Sequence, residues 1–409
     1  MADRWIDRAL MGFIRKLAEP VPLRVEVGLS SVASGAGTPD SPIIRLKDRR
    51  ALISLALNPA INFGELYSQG RLEIEGDLVQ QLESLYHARR GALARKASRW
   101  FGWTQSNSLR GSRKNIHHHY DISNDFYRLW LDPQMVYTCA YFPTEEATLE
   151  EAQWAKLDLV CRKLWLRPGE TVVEAGCGWG ALALHMAKYY GVRVKAFNIS
   201  REQIAFARER ARREGLASKV EFIEDDYRNI SGRFDAFASV GMLEHVGRSH
   251  YRKFGRVIQR AIGDQGRGLL HFIGRNQPAP LNAWIRKRIF PGGYTPVLRE
   301  MMDVLEPYDY SVLDIENLRR HYAWTCEHWL HRFENCYDEV VRRFGPVFAR
   351  MWRLYLAGSA AAFRAGTLQL FQVVFAGRAC ASQPWNRNHL LQKSSEQSGQ
   401  DQEWIPAMS

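Results

Sequence analysis

The chain has no Cys-x-x-Cys pair, no apolar run approaching the ~20 residues of a membrane helix, and no acidic residue between Ala88 and Tyr120. Each gap excludes something. Its six cysteines (Cys139, Cys161, Cys177, Cys326, Cys336, Cys380) are scattered, which speaks for reduced thiols and against a disulfide framework or a zinc site. The N-terminus has no apolar core ending at a small-residue cleavage site, so a cytoplasmic protein is expected. What is present is size, basicity and aromatic mass. At 409 residues the chain is long enough for two domains with sizeable cores, and its net charge of +12 suggests an anionic partner, nucleic acid or the anionic face of a bilayer. Thirteen tryptophans and nineteen phenylalanines tilt the choice toward apolar or lipid substrates.

The organising stretch is Thr171–Gly180, TVVEAGCGWG. Its β-branched residues Thr171, Val172 and Val173 predict a buried strand. Glycines at alternate positions follow, then an apolar helix over Ala181–Tyr190. Glycine lets the backbone come close to a ligand, and a helix start offers unpaired N–H groups. The spacing is G-x-G-x-G with Glu174 two residues before the first glycine, not the G-x-G-x-x-G of dinucleotide binders. It resembles the first motif of class I S-adenosylmethionine (SAM) methyltransferases; a plain tight turn is the bland alternative. Strands at Arg193–Asn198, Val220–Glu224, Phe234–Val240 and Gly268–Ile273 alternate with helices at Arg201–Arg213 and Tyr251–Ala261. That alternation implies a parallel sheet, with ligands beyond the carboxyl ends of its strands. Those ends are Gly176–Gly180, Asn198–Ser200, Asp225–Tyr227, Gly241–Gly247 and His271–Ile273.

Upstream, Asp3–Leu17 has the pattern of an amphipathic helix, packed on its own domain or, alternatively, lying on a membrane surface. Leu23–Val27 and Ser41–Leu46 read as strands around the polar turn Ala33–Asp40. Ala51–Leu57 and Phe63–Ser68 follow, then a short strand at Arg71–Glu75 and a helix at Leu78–His87. The domain organisation expected is an α+β unit over 1–87, a basic aromatic linker over 88–120, a catalytic domain over 121–390 and a disordered tail over 391–409. The linker, with Trp100, Phe101 and Trp103 among its arginines, is read as a contact for anionic lipid, with an inert linker or nucleic-acid binding as alternatives. His117–His119 are adjacent, so in an extended chain they point to opposite faces, and no metal site is expected. Further on, Asp121–Trp130 predicts a helix, Met135–Phe142 a partly β stretch, and Leu149–Leu166 a helix. Trp284–Pro296 reads as an insertion, Asn317–Arg343 as one long helix, Val347–Phe363 as another, and Leu368–Phe375 as a final strand.

The segments HHHYDISNDFYRLWLD, MVYTCAYF, EAGCGWG, GMLEHVG, HFIG, IFPGGYTP and HYAWTCEHWLHRFE, in this order and spacing, resemble the cyclopropane-fatty-acyl-phospholipid synthases, with the mycolic acid methyltransferases as more distant relatives. The resemblance covers about Arg71 to Phe375. It implies an α/β fold: a Rossmann-like class I SAM-methyltransferase sheet with a small N-terminal α+β lipid-binding domain. It also implies methyl transfer from SAM to a cis double bond of a phospholipid acyl chain, then loss of a proton from the new methyl and ring closure. In the family the base is thought to be a bound bicarbonate, and the matching positions are Cys139, Glu244, His271, Ile273 (through its backbone) and Tyr322. For SAM the positions carried over are Tyr137, Thr138, Glu174, Gly176, Gly178, Asn198, Gln203, Asp226 and Tyr227. Glu174 departs from the Asp more common there.

The partners implied are unsaturated phospholipid and an anionic membrane surface, at the inner face of the membrane, with a possible homodimer and no nucleic acid. Two alternatives stay open: C-methylation giving a methyl-branched alkene, and, in another class, a catalytically silent lipid- or RNA-binding module.

Overall fold

The computed structural model describes Gly12 and residues 23–27, 30–34, 43–88 and 123–391. The helix expected over Asp3–Leu17, apart from that glycine, the linker beyond Ala88, His117–His119 and the tail beyond Leu391 lie outside the described residues. Near the N-terminus, β1 (Leu23–Val27) pairs antiparallel with β2 (Ser30–Ser34) and parallel with β3 (Ile43–Leu46). β4 (Leu72–Glu75) adds to β3, giving the order β2-β1-β3-β4. The serine-rich β2 carries no hydrophobic alternation, and the sequence reading placed part of it in a turn.

Ala51–Leu57 and Phe63–Ser68 lie in helices α1 (Arg49–Leu57) and α2 (Pro59–Ser68). The Asp48 carboxylate caps α1 by accepting from the Ala51 N–H at 2.8 Å, and Pro59 opens α2 where no N–H is needed. Helix α3 (Leu78–Ala88) follows β4.

The larger sheet is built from β5 (Thr171–Ala175), β6 (Arg193–Asn198), β7 (Val220–Glu224), β8 (Ala236–Val240), β9 (Arg267–Gly274), β10 (Tyr310–Asn317) and β11 (Gln369–Gly377). Its order is β10-β11-β9-β8-β5-β6-β7. β5 to β9 run parallel, and β11 is antiparallel to both β9 and β10. The longer helices of this unit and the short ones that bear on the site are α4 (Asn124–Arg128), α5 (Leu149–Lys163), α6 (Ala181–Tyr189), α7 (Arg201–Arg213), α8 (Leu243–Val246), α9 (Tyr251–Ile262), α10 (Ala283–Arg288), α11 (Arg319–Asn335), α12 (Tyr337–Phe344) and α13 (Pro346–Arg364); short helical turns also lie at Leu298–Met301 and Asn388–Leu391.

Two expectations are corrected. The pattern over Asn317–Arg343 is not one helix: α11 starts at Arg319 and ends at Asn335, Cys336 caps it, and α12 follows. The strand just before it, β10, was not foreseen, because as an edge strand it buries little beyond Tyr310 and shows a weak apolar pattern. Met135–Phe142 forms no strand. Several of its backbone N–H groups are met by side chains instead, and those of Met135 and Tyr141 by the Asp132 and Ala152 carbonyls. The Asp132 carboxylate accepts from Gln134 and Val136 at 2.9 Å each. The Ala140 N–H donates to Thr325 Oγ1 at 3.0 Å, and the Phe142 N–H to His321 Nδ1 at 3.1 Å.

The N-terminal unit docks on α10 and α13. Arg288 makes a bidentate pair with Glu65 at 2.8 and 2.7 Å. Arg350 donates to the Tyr67 carbonyl at 2.7 Å and lies over its ring. Gly64 is covered so closely by Trp284 that an added Cβ would come within 2.4 Å of the indole. A shared apolar core joins Leu66, Tyr67 and Leu82 to Trp284, Trp352 and Leu356. Within it Phe126 meets Phe344, Phe348 and Trp352 edge-on at 5.2, 5.2 and 4.9 Å. Tyr127, next to Phe126, meets Trp179 edge-on at 5.0 Å, so this wall of aromatic rings reaches the glycine turn after β5.

Candidate active site

The glycine turn after β5 is held by β6. The N–H groups of Gly176 and Cys177 both donate to the Phe197 carbonyl, at 2.9 and 3.1 Å. Gly176, Gly178 and Gly180 have φ of +86°, +53° and +85°, where L side chains are strained. Their surroundings separate their roles. A Cβ on Gly180 would come within 2.6 Å of the Phe222 ring, so this glycine serves packing of α6 on the sheet. A Cβ on Gly178 would meet nothing within 4 Å. Open space above a bare backbone is what a close-lying ligand requires.

Asn198, at the end of β6, bridges the turn: its amide donates to Gly178 O at 3.2 Å and to Gln203 Oε1 at 2.7 Å. That contact leaves the buried Gln203 Nε2 without a partner among the described residues. Asp226 is buried after β7 and accepts from the Arg228 N–H at 2.9 Å. The Tyr227 ring stands edge-on to Phe254 at 5.2 Å, under the Arg228 guanidinium.

Below the turn lie a buried acid and a buried amine, of which sequence reasoning found only the acid. Glu174 is buried, and burial pushes its carboxyl up to about 8 against the opposing charge of Lys156. Lys156 on α5 is also buried, and burial lowers its ammonium to about 8. Its Nζ donates to Thr138 Oγ1 at 2.9 Å, while Gln153 donates to the Thr138 carbonyl at 2.8 Å. Thr138 in turn leans on the end of β8, where a Cβ on Gly241 would come within 2.9 Å of its methyl. The Tyr137 and Tyr355 hydroxyls share a hydrogen bond of 2.7 Å. The signal for Lys156 was available: with Lys163 it places two lysines seven residues apart, on a face of α5 that otherwise carries Ala152 and Leu159.

A second cluster gathers one strand further along. His271 and Ile273 are two residues apart on β9 and so share a face. The Ile273 N–H donates to Glu244 Oε1, and the other oxygen, Oε2, is buried without a partner among the described residues. Burial pushes Glu244 up to about 7, opposed by that N–H. His271 is 1% exposed; its Nδ1 meets Gln372 Nε2 at 3.0 Å and its Nε2 has no partner among the described residues. Burial, then the charges of Lys156 and Lys163, drive its pKa well below the usual histidine range, so it is a neutral imidazole.

Cys139, Ile273 and Tyr322 pack together with Leu318 and Leu370. Burial raises both the Cys139 thiol and the Tyr322 phenol, so both are neutral donors. Cys139 Sγ points at the Ala140 carbonyl, 3.1 Å away, and the Tyr322 ring stacks on Phe363 at 4.5 Å. Among the described residues no group of three or more His, Cys, Asp or Glu could hold a metal ion.

The unfilled space over Gly178 and the unpartnered amide of Gln203 fit a nucleoside ligand of the SAM type at the carboxyl ends of β5 and β6. A parallel-rich seven-stranded sheet with this glycine turn defines a SAM-dependent methyltransferase. Comparison narrows the class. Residues 107–373 match the profile of the mycolic acid cyclopropane synthetase family, and the chain belongs to that family. A probable fatty acid methyltransferase of Pseudomonas putida is 35% identical over 82% of this chain and 87% of its own. The cyclopropane-fatty-acyl-phospholipid synthase of Escherichia coli K12 is 42% identical over 63% of this chain and 66% of its own. The crystal structure of mycolic acid cyclopropane synthase CmaA1 with SAH and CTAB superposes with a TM-score of 0.61, at 29% identity, over 64% of this chain and 97% of that one. The chain is therefore an enzyme, a SAM-dependent methyltransferase of the cyclopropane synthase type.

Proposed function

We propose that this enzyme cyclopropanates cis double bonds in phospholipid acyl chains, with bicarbonate as the base. The observation that carries the reading is two buried polar atoms without partners among the described residues: Glu244 Oε2, an acceptor whose sister oxygen is bonded to the Ile273 N–H, and His271 Nε2, on a neutral ring two residues before Ile273 on β9; Ile273 and Tyr322 pack against the apolar, aromatic core. A hydrogen carbonate has one O–H to donate and oxygens to accept, which complements that pair.

SAM, when bound, supplies an electrophilic methyl group. An isolated alkene is a weak nucleophile, so the apolar wall must hold it in a near-attack position and exclude water that would trap the cation. The alkene π pair would form the new C–CH3 bond as the bond from that methyl to the sulfonium sulfur breaks, its pair staying on sulfur and the positive charge passing to the other alkene carbon. The C–H pair of that methyl then closes the ring as its proton leaves to the base. Glu244 and His271 would hold the bicarbonate that accepts it, and Cys139 and Tyr322 would shape the same wall.

Residues 1–87 would help to hold the phospholipid. Among the described residues no helix is long and apolar enough to cross a membrane. Leu57 is 80% exposed on α1, with Ile53, Arg50 and Lys47 exposed nearby, which suits a surface that meets an anionic bilayer.

A second reading follows from the name of the Pseudomonas putida relative: the same cation could lose a different proton and leave a methyl-branched alkene. Proton NMR of total lipid from bacteria lacking their own synthase and expressing this chain separates the readings. Upfield cyclopropane-methylene signals support the first, a methyl-branched olefin the second. Unchanged lipids alongside a folded, SAM-binding protein overturn both.

A further inference from the structure

Three strands carry three polar side chains in direct register across the sheet. Glu316 on β10 faces Gln372 on β11, and Gln372 faces His271 on β9. Lys163, the last residue of α5, reaches into this row. Its ammonium pairs with the Glu316 carboxylate and donates to Gln372 Oε1 at 2.7 Å. Gln372 Nε2 lies 3.0 Å from His271 Nδ1. Lys163, Gln372 and His271 are all buried.

Chemistry sets the direction of every bond in the row. An ammonium only donates, so the Gln372 oxygen must be the atom that faces Lys163. The amide nitrogen must then face His271, and it too only donates. His271 Nδ1 is therefore the bare, accepting nitrogen, and the ring proton sits on Nε2. Flipping the amide would set its NH2 against an ammonium in a low-dielectric interior. Burial lowers the Lys163 pKa, while Glu316 and Asp314 oppose that shift and favour the charged form.

We infer that Lys163 and Gln372 are positioning residues that lock His271 in the Nε2–H tautomer, so that it presents a hydrogen-bond donor to the oxygen of a bound anion or reacting group. The inference rests on the placement of His271 in the active site made under the proposed function. Its first test needs no turnover.

In the full chain labelled with 15N-histidine, without ligand, His271 is expected to show a bare Nδ1 and a protonated Nε2 at neutral pH. Gln372→Glu places a carboxylate acceptor against Nδ1 and should move the proton there. Turnover of unsaturated phospholipid should then fall on the order of 10- to 100-fold, the usual cost of losing a group that orients a ligand, with SAM affinity retained. Lys163→Arg keeps a donor-only side chain, and should keep the tautomer and more turnover than Lys163→Met, which lets the amide flip. A purely structural role predicts the reverse order, since methionine fills the site with less strain than arginine.

A wild-type His271 protonated on Nδ1 overturns the inference. So does a Gln372→Glu variant whose tautomer changes while turnover does not. If lipid proves not to be the substrate, the tautomer result still stands or falls by itself.

Discussion

The Ile273 N–H donates to one oxygen of the Glu244 carboxylate, and the other oxygen is buried and unpartnered among the described residues. One half of the carboxylate is thus fixed by the end of β9, and the other half is aimed and available. Glu244→Gln keeps the shape and removes the charge. Turnover should fall by about 10²- to 10⁴-fold, because proton transfer is lost with the carboxylate that would hold the base, while calorimetry shows SAM binding retained. Burial holds this carboxyl at about 7, so kcat should rise with pH through that value as it ionises. The limb should vanish from the residual activity of the variant, and unchanged turnover would remove Glu244 from the site.

The glycines of the turn should fail in different ways. Gly178→Ala costs about 1–2 kcal/mol for a left-handed alanine, and the protein should fold. Its new methyl stands in the open space, and SAM binding should be lost. Gly180→Ala bears the same backbone cost plus overpacking against Phe222 and Ala207, about 1–3 kcal/mol more. Thermal melts and SAM titrations of the two variants distinguish these outcomes; equal melting temperatures would contradict the assignment.

Glu174 makes ligand-free stability fall with pH. Its carboxyl moves from 4.5 to about 8 on folding, so between those values the folded state holds a proton that the unfolded state has lost. Stability contributed by the neutral form is present below 4.5 and is lost as pH rises through about 8. Glu174→Gln mimics the protonated form. Its melting temperature should gain on that of wild type as pH rises across this window. The titration of Lys156, with the opposite sign, acts between about 8 and 10.5, so the comparison is made below it. A gap independent of pH would refute the buried-acid assignment.

The exposed Leu57 gives a test of membrane contact. Leu57→Glu removes ~1.5 kcal/mol or more of apolar insertion, about tenfold in partition onto anionic vesicles. A surface substitution of this kind leaves the fold within about 0.5 kcal/mol, so SAM affinity serves as the control. Unaltered vesicle binding would exclude α1 from the contact surface.

Much of the catalytic unit was legible because its signals are local. The β-branched run before Gly176, the glycine spacing and the helical period of α5, α7 and α9 depend on residues close in sequence, and these elements form where they were expected. The order of motifs likewise placed Glu244 just beyond the end of β8, whereas His271, expected at a strand end, lies inside β9, which runs on to Gly274.

What local pattern could not supply was partnership. Nothing near Met135–Phe142 shows that its backbone will bond to Thr325 and His321 rather than to a strand. An edge strand such as β10 lacks the two-sided burial that marks a central one. Lys156 under Thr138, and the row Glu316–Gln372–His271 with Lys163 at its end, join residues more than a hundred positions apart in part. The sequence by itself determined the glycine turn, the parallel strands β5 to β9 and the helices between them. The tertiary structure alone decided which buried charges face one another and which polar atoms are left without partners, because strand order and register are set by packing across the whole chain.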